Sequence, residues 1–254
     1  SKFNSIYKDK TFKKPANFGR EYAKHLSSQS KQGRQWERWD SWGYSSRYDD
    51  VMRKYHQLVH GIDFATGMIL DALQENGALD NTVIIYTSDN GFLCGSHGYG
   101  SKVLPYEESV RVPMIIFDPR HKYRDQGIRV SALTGNIDIA PTILELAGLK
   151  ADPETEGKSL LSLLDEPEKE IHSQLYLMNC WGPAAAQSLG VVTRDWKYIY
   201  WYYGKEMNPA EELFNMRKDK LELFNVANDT QQKKALQFMR GHYDKAVVSI
   251  KNKA

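Results

Sequence analysis

The stretch from Asn81 to Pro113, NTVIIYTSDNGFLCGSHGYGSKVLPYEESVRVP, constrains this chain more than any other part of it. Val83 to Thr87 is an unbroken run of apolar and β-branched residues, which reads as a buried strand of a parallel sheet. The run stops at Ser88-Asp89-Asn90-Gly91. In open α/β sheets ligands bind outside the carboxyl ends of strands, so a site is expected here. Asp89 offers a carboxylate, Asn90 an amide carbonyl and Gly91 a sharp turn. Two hard oxygen ligands side by side suit calcium or magnesium. The same tripeptide is also ordinary turn chemistry, and taken alone it supports both readings equally.

Beyond the pair, Gly91, Gly95, Gly98 and Gly100 make a glycine-rich loop carrying His97 and, five residues on, Lys102. Single lysines are usually just solvated, and single loop histidines usually have no role. The functional reading rests on their combination: strand, oxygen pair, glycine loop, His, Lys and a second strand, Val112 to Phe117, close together in one stretch.

These residues closely resemble the sulfatase family of the alkaline phosphatase superfamily. Its members carry a strand ending in Ser-Asp-Asn-Gly, then Gly-x-His-Gly, a Lys, and Tyr-Glu-Glu-Ser-x-Arg-Val-Pro. Here those are Ser88 to Gly91, Gly95 to Gly98, Lys102, and Tyr106 to Pro113. The resemblance implies that Asp89 and Asn90 are calcium ligands, that Lys102 binds sulfate oxygens, and that His97 lies near the sulfate or its sugar. It also implies a formylglycine nucleophile made from a Cys or Ser in Cys/Ser-x-Pro-x-Arg, an acidic pair completing the metal site, and a His in a Pro-His motif. This sequence has none of the three: Cys94 precedes Gly-Ser-His and Cys180 precedes Trp-Gly-Pro. The expectation is a carboxyl-terminal portion of a sulfatase, with formylglycine and the rest of the site in a missing amino-terminal half. The isolated chain is then expected to be inactive.

Composition sets broad bounds. The 254 residues are 41% hydrophobic, enough for one large or two modest domains. A net charge of +2 indicates no polyanion-binding surface, so nucleic acid is not implied. No apolar run is long enough for a membrane span. Two cysteines make no disulfide framework, and Cys94 reads as a packed thiol. The address is unknown from the residues; the resemblance favours a periplasmic, secreted or lysosomal location.

Residues 1 to 47 read as irregular, with a basic aromatic cluster from Arg34 and Trp36 to Trp42. By the resemblance, Arg34 and Trp36 would contact a sugar ring or a uronate, while packing against the missing half explains them equally well. From Asp49 to Gly77 an apolar stripe of Val51, Tyr55, Leu58, Ile62, Ala65, Ile69 and Leu73 predicts a helix. His56 and His60 sit four apart on it, but Gln57 stands where a zinc protease would need Glu, so partly buried helix histidines are preferred. Further elements are expected as a strand at Ile128 to Leu133, a helix from Asp138 to Gly148, and a short helix at Leu160 to Leu164. Asp138 is assigned no catalytic role. Strands at Ser173 to Met178, Gly190 to Thr193 and Trp196 to Tyr202, then a helix from Gln231 to Lys251, complete the chain.

The expected fold is α/β: a partial alkaline-phosphatase-like sandwich with a mainly parallel sheet, plus a small carboxyl-terminal antiparallel sheet with one helix. The division falls into residues 1–165, the carboxyl-terminal part of a catalytic domain, and 166–254, the small subdomain. The function implied by the resemblance is hydrolysis of sulfuric esters on sulfated carbohydrate. The alternatives are a non-catalytic module binding sulfated glycans, and a phosphatase or phosphodiesterase of the same superfamily. The last usually shows Asp-His where this chain has Asp89-Asn90, and imidazole is what a transition metal would favour.

Overall fold

A computed structural model describes residues 3–122, 124–202 and 208–253. The helices are α1 (Arg34–Ser41), α2 (Tyr48–Glu75), α3 (Glu107–Val110), α4 (Ile139–Leu146), α5 (Ser162–Asp165) and α6 (Lys233–Lys253). The strands are β1 (Ile84–Thr87), β2 (Met114–Phe117), β3 (Leu175–Asn179), β4 (Ser188–Val192), β5 (Trp196–Trp201) and β6 (Ala210–Asn215).

The carboxyl-terminal sheet is antiparallel in the order β3-β4-β5-β6, with α6 packed on it, as expected. Period-two alternation assigns its faces. Trp196, Tyr198 and Tyr200 of β5 face α6, where they meet Leu236, Met239, Tyr243 and Val247. Ile199 and Trp201 of β5 and Phe214 of β6 face the other way, onto Leu93, Tyr99, Leu104 and Tyr106. The glycine-rich loop is therefore one wall of a core whose other wall is the sheet. Tyr99, Tyr106, Trp201 and Phe214 are fully buried there, and their ring contacts add to the area they remove from water.

Three expectations are corrected. β1 pairs antiparallel with β2, Ile84 opposite Phe117 and Thr87 opposite Met114; among the described residues no parallel pairing occurs, and β1 is only partly buried. Ile128 to Leu133 forms no strand. The segment before α2 is not irregular throughout, because Arg34–Ser41 is the helix α1. β6 (Ala210–Asn215) adds a strand that the sequence reading does not predict.

The long helix forms where its spacing predicted, but its stripe is mostly uncovered. Tyr48 and Met52 are buried at its start. Further along, Leu58, Ile62 and Ile69 are 70%, 52% and 63% exposed, and Ile115 of β2 is 59% exposed. His56 stacks on Phe12 and His60 meets Phe3 and Tyr7 edge-on, so both pack the amino-terminal segment onto the helix. Asp138 is fully buried, accepting from the amides of Gly135 and Lys158 and from His172, which is a structural task. Among the described residues no helix is long and apolar enough to cross a membrane.

Candidate functional site

β1 ends at Thr87, and a short hydrogen-bonded turn follows. Ser88 Oγ donates to the Asn90 carbonyl at 2.9 Å, and the Asn90 amide donates to Asp89 Oδ1 at 2.9 Å. Asn90 Nδ2 donates to the Gly91 carbonyl at 2.8 Å. From the segment before α4, Asn136 Nδ2 donates to the carbonyls of Ser88 and Asp89 at 2.9 and 3.3 Å. The turn leaves Asp89 Oδ2 and Asn90 Oδ1 free of these bonds. Gly91 lies so close to α3 that a Cβ there would collide with the Glu108 carbonyl oxygen.

Lys102 returns to this turn: its Nζ is 3.7 Å from Asp89 Oδ2, with side chains 42% and 80% exposed. A pair so solvated contributes about 0–1 kcal/mol of stability, so its position is the informative feature. Asp89 and Asn90 present hard oxygens of the kind a divalent cation takes, fewer than the six to eight of a full calcium shell. The structure thus brings together Asp89, Asn90 and Lys102.

His97 is elsewhere. Its ring is fully buried, with Nε2 accepting from Asn17 Nδ2 at 3.0 Å and Nδ1 donating to the Tyr22 carbonyl at 3.3 Å. Burial lowers its pKa, against the opposing pull of Glu108. The expected place beside the sulfate is not matched by any exposed ring surface. Arg34 is exposed on α1. Trp36 is partly buried, with the Arg20 guanidinium 4.3 Å from its ring centre and Tyr99 against its edge.

A second group of ligand-type atoms surrounds His97. One atom each of His97, Glu108 and Glu222 lie within 4.8 Å of one another, a set able to hold a metal ion. The same groups are also compensated internally. Asn17 Nδ2 donates to Glu108 Oε1 at 2.6 Å, and Lys197 Nζ lies 2.7 Å from Glu222 Oε1. Sequence reading missed Asn17, Glu108, Lys197 and Glu222 as members of this network. Two of them gave a signal: Glu108 lies within the Tyr106 to Pro113 motif, and Lys197 within Arg194-Asp195-Trp196-Lys197-Tyr198, which also resembles a sulfatase signature.

Comparison with known proteins identifies the family. The family described as Sulfatase matches residues 9–149, and that described as N-sulphoglucosamine sulphohydrolase, C-terminal, matches residues 95–247. The chain is 35% identical over 188 residues to an N-acetylglucosamine-6-O-sulfatase of Bacteroides thetaiotaomicron, covering 72% of this chain and 33% of that protein. It is 33% identical over 180 residues to arylsulfatase K of Homo sapiens, covering 68% and 33%. A solved structure in complex with its substrate D-glucosamine-2-N,6-O-disulfate superposes with a TM-score of 0.74 at 31% identity, over 81% of this chain and 42% of that one. A phosphonate monoester hydrolase from Silicibacter pomeroyi, at 20% identity and a TM-score of 0.76 over 96% and 52%, shares the fold. The chain spans about a third of the length of these curated relatives.

Proposed function

This chain belongs to the sulfatase family, and from that premise we propose that it supplies one side of a sulfuric ester hydrolase site acting on sulfated carbohydrate. The observation that carries the proposal is the convergence of Asp89, Asn90 and Lys102 at the end of β1, Lys102 Nζ standing 3.7 Å from Asp89 Oδ2.

Asp89 and Asn90 would hold the divalent cation that family membership suggests, and their oxygen-only donor set favours calcium. Such a cation supplies positive charge to the sulfate oxygens. Lys102, standing at the same turn, would bind those oxygens, and its ammonium would counter the charge that builds up as the ester bond breaks. His97, buried behind the loop, acts by positioning it rather than by touching substrate. Arg34, exposed on α1, remains available as a contact for an anionic sugar, while Trp36 packs against Arg20 and Tyr99.

The nucleophile is assigned to a complementary portion carrying formylglycine, in a longer polypeptide or a second chain. Two observations support this: the matched stretch is only a third of its curated relative, and the apolar stripe of Leu58, Ile62 and Ile69 is exposed, as is Ile115. Large uncovered apolar faces mark surfaces that meet another protein segment. Residues 1–165 would then belong to the shared catalytic domain and 166–254 to the subdomain backing it. The relatives also support a non-cytosolic location, periplasmic, secreted or lysosomal.

The test compares turnover of an aryl sulfate and an aryl phosphate by the native-source polypeptide with added calcium. Faster sulfate cleavage is expected; faster phosphate cleavage would move the chain to a phosphatase or phosphodiesterase. The absence of Cys/Ser-x-Pro-x-Arg from this sequence favours one second reading, a module that binds sulfated glycans without cutting them. That reading predicts glycan binding and no turnover even when the complementary portion is present.

A further inference from the structure

Lys102 stands between two residues whose backbones are left-handed, Ser101 at φ 71° and Val103 at φ 91°. Neither is glycine, and Val103 is β-branched, for which positive φ is unusual. Such conformations persist only where the surroundings over-determine them, and they concentrate at functional sites.

Here the surroundings can be named. The Ser101 carbonyl accepts from the Leu93 amide at 2.8 Å, and Ser101 Oγ from Arg38 Nη1 at 2.6 Å. The Lys102 carbonyl accepts from Gln35 Nε2 at 2.8 Å. The Val103 amide donates to Ser109 Oγ at 2.7 Å. Ser109 is 2% exposed, and its own carbonyl accepts from the Gly91 amide at 2.8 Å. One residue of α3 therefore grips the chain at two points. Its carbonyl holds the residue that follows Asn90, and its hydroxyl holds the residue that follows Lys102.

We propose that Ser109 is a positioning residue that sets the separation of Lys102 from the Asp89–Asn90 pair by pinning the strained Ser101–Val103 turn. Without its hydroxyl, the Val103 amide loses its acceptor, and a β-branched residue at positive φ has every reason to relax toward an ordinary conformation. Lys102 then swings over more positions, and the fixed charge it presents to an anion becomes a diffuse one. The proposal rests on Lys102 binding sulfate, as proposed above.

The experiment measures the affinity for inorganic sulfate by calorimetry, kcat and KM on an aryl sulfate, and thermal stability. The variants are Ser109→Ala, Ser109→Thr, Val103→Gly and Lys102→Ala, in the polypeptide as its source makes it. Ser109→Ala is expected to weaken sulfate binding about tenfold and to lower kcat more than it raises KM, with Ser109→Thr recovering most of both. Val103→Gly keeps the hydroxyl but frees the turn, and is expected to weaken sulfate binding severalfold; it decides the matter if Ser109→Ala does not fold. If Lys102→Ala weakens sulfate binding while Ser109→Ala, or in its place Val103→Gly, stays within twofold of wild type, positioning by Ser109 is overturned alone. If Lys102→Ala itself changes nothing, the reading of Lys102 falls and takes this proposal with it.

Discussion

Lys197 and Glu222 form an ion pair to which solvent has no access: Nζ is 2.7 Å from Oε1, and both side chains are 0% exposed. Lys197 also reaches Glu107 Oε1 at 2.5 Å, and Glu222 Oε2 accepts the Glu107 amide at 2.8 Å. The pair thus ties β5 to the start of α3, the helix that backs the site loop. Burial acts to lower the Lys197 pKa, but the two carboxylates outweigh it and hold it above its ordinary value.

Removing one partner of such a pair leaves a charge stranded in the interior. Lys197→Met is expected to cost about 3–5 kcal/mol in urea unfolding. Lys197→Met with Glu222→Gln should cost clearly less than the two single changes summed, because no stranded carboxylate remains at 222. Simple additivity would show that the two side chains do not interact.

Glu222 also gives a pH dependence. Burial pushes its carboxyl from 4.5 up to about 7, against the pull of Lys197. A group whose pKa rises on folding holds its proton more tightly when folded. Its contribution is therefore complete below 4.5 and lost as pH rises through about 7. Wild type should lose stability relative to Glu222→Gln across that window, measured as unfolding free energy at a series of pH values. His97 has the opposite sign: burial lowers its pKa from 6.5, so its contribution holds at neutral pH and is lost as pH falls below 6.5.

The two cysteines should react very differently. Burial pushes the Cys94 thiol up to about 12, while Cys180 is exposed. Iodoacetamide at about pH 8 should alkylate Cys180 in the folded protein and Cys94 only after denaturation, read by peptide mass. Equal labelling of both in the native state would mean that the packing of Cys94 against Tyr44 is wrong.

Lys102→Ala, assayed in the polypeptide that carries the nucleophile, should lower kcat by about two to three powers of ten, the cost of losing one fixed donor to developing charge. The 3.7 Å pair with Asp89 is solvated, so the same change should leave unfolding nearly untouched. A rate within a few fold of wild type would remove Lys102 from the chemistry.

Much of the fold was legible because period and punctuation are local. The stripe from Val51 predicted α2, and Gly77, at φ 64°, ends it as expected. The Tyr- and Trp-rich runs predicted β3, β4 and β5 within a few residues. Glu-Leu-Phe-Asn shows where locality fails. The copy at 212–215 is β6, hydrogen-bonded to β5, with Phe214 buried. The copy at 222–225 is irregular chain in which the Asp219 carboxylate accepts from the amides of Leu223 and Phe224, and Phe224 is 66% exposed. Identical tetrapeptides take the structure that their neighbours make available.

The sequence by itself determined which residue types end β1 and which follow them, and with that the family and the expectation of Asp89, Asn90 and Lys102 in one site. These are properties of order along the chain, and order is what a sequence records. Only the tertiary structure decided that His97 lies buried with Asn17, that Lys197 and Glu222 neutralise each other, and that Ser109 holds both ends of the loop. Asn17 and His97 are 80 residues apart, and left-handed Ser101 and Val103 carry no glycine to announce them. Burial, pairing and strain depend on what packs against a residue, and the packing partners here come from distant parts of the chain.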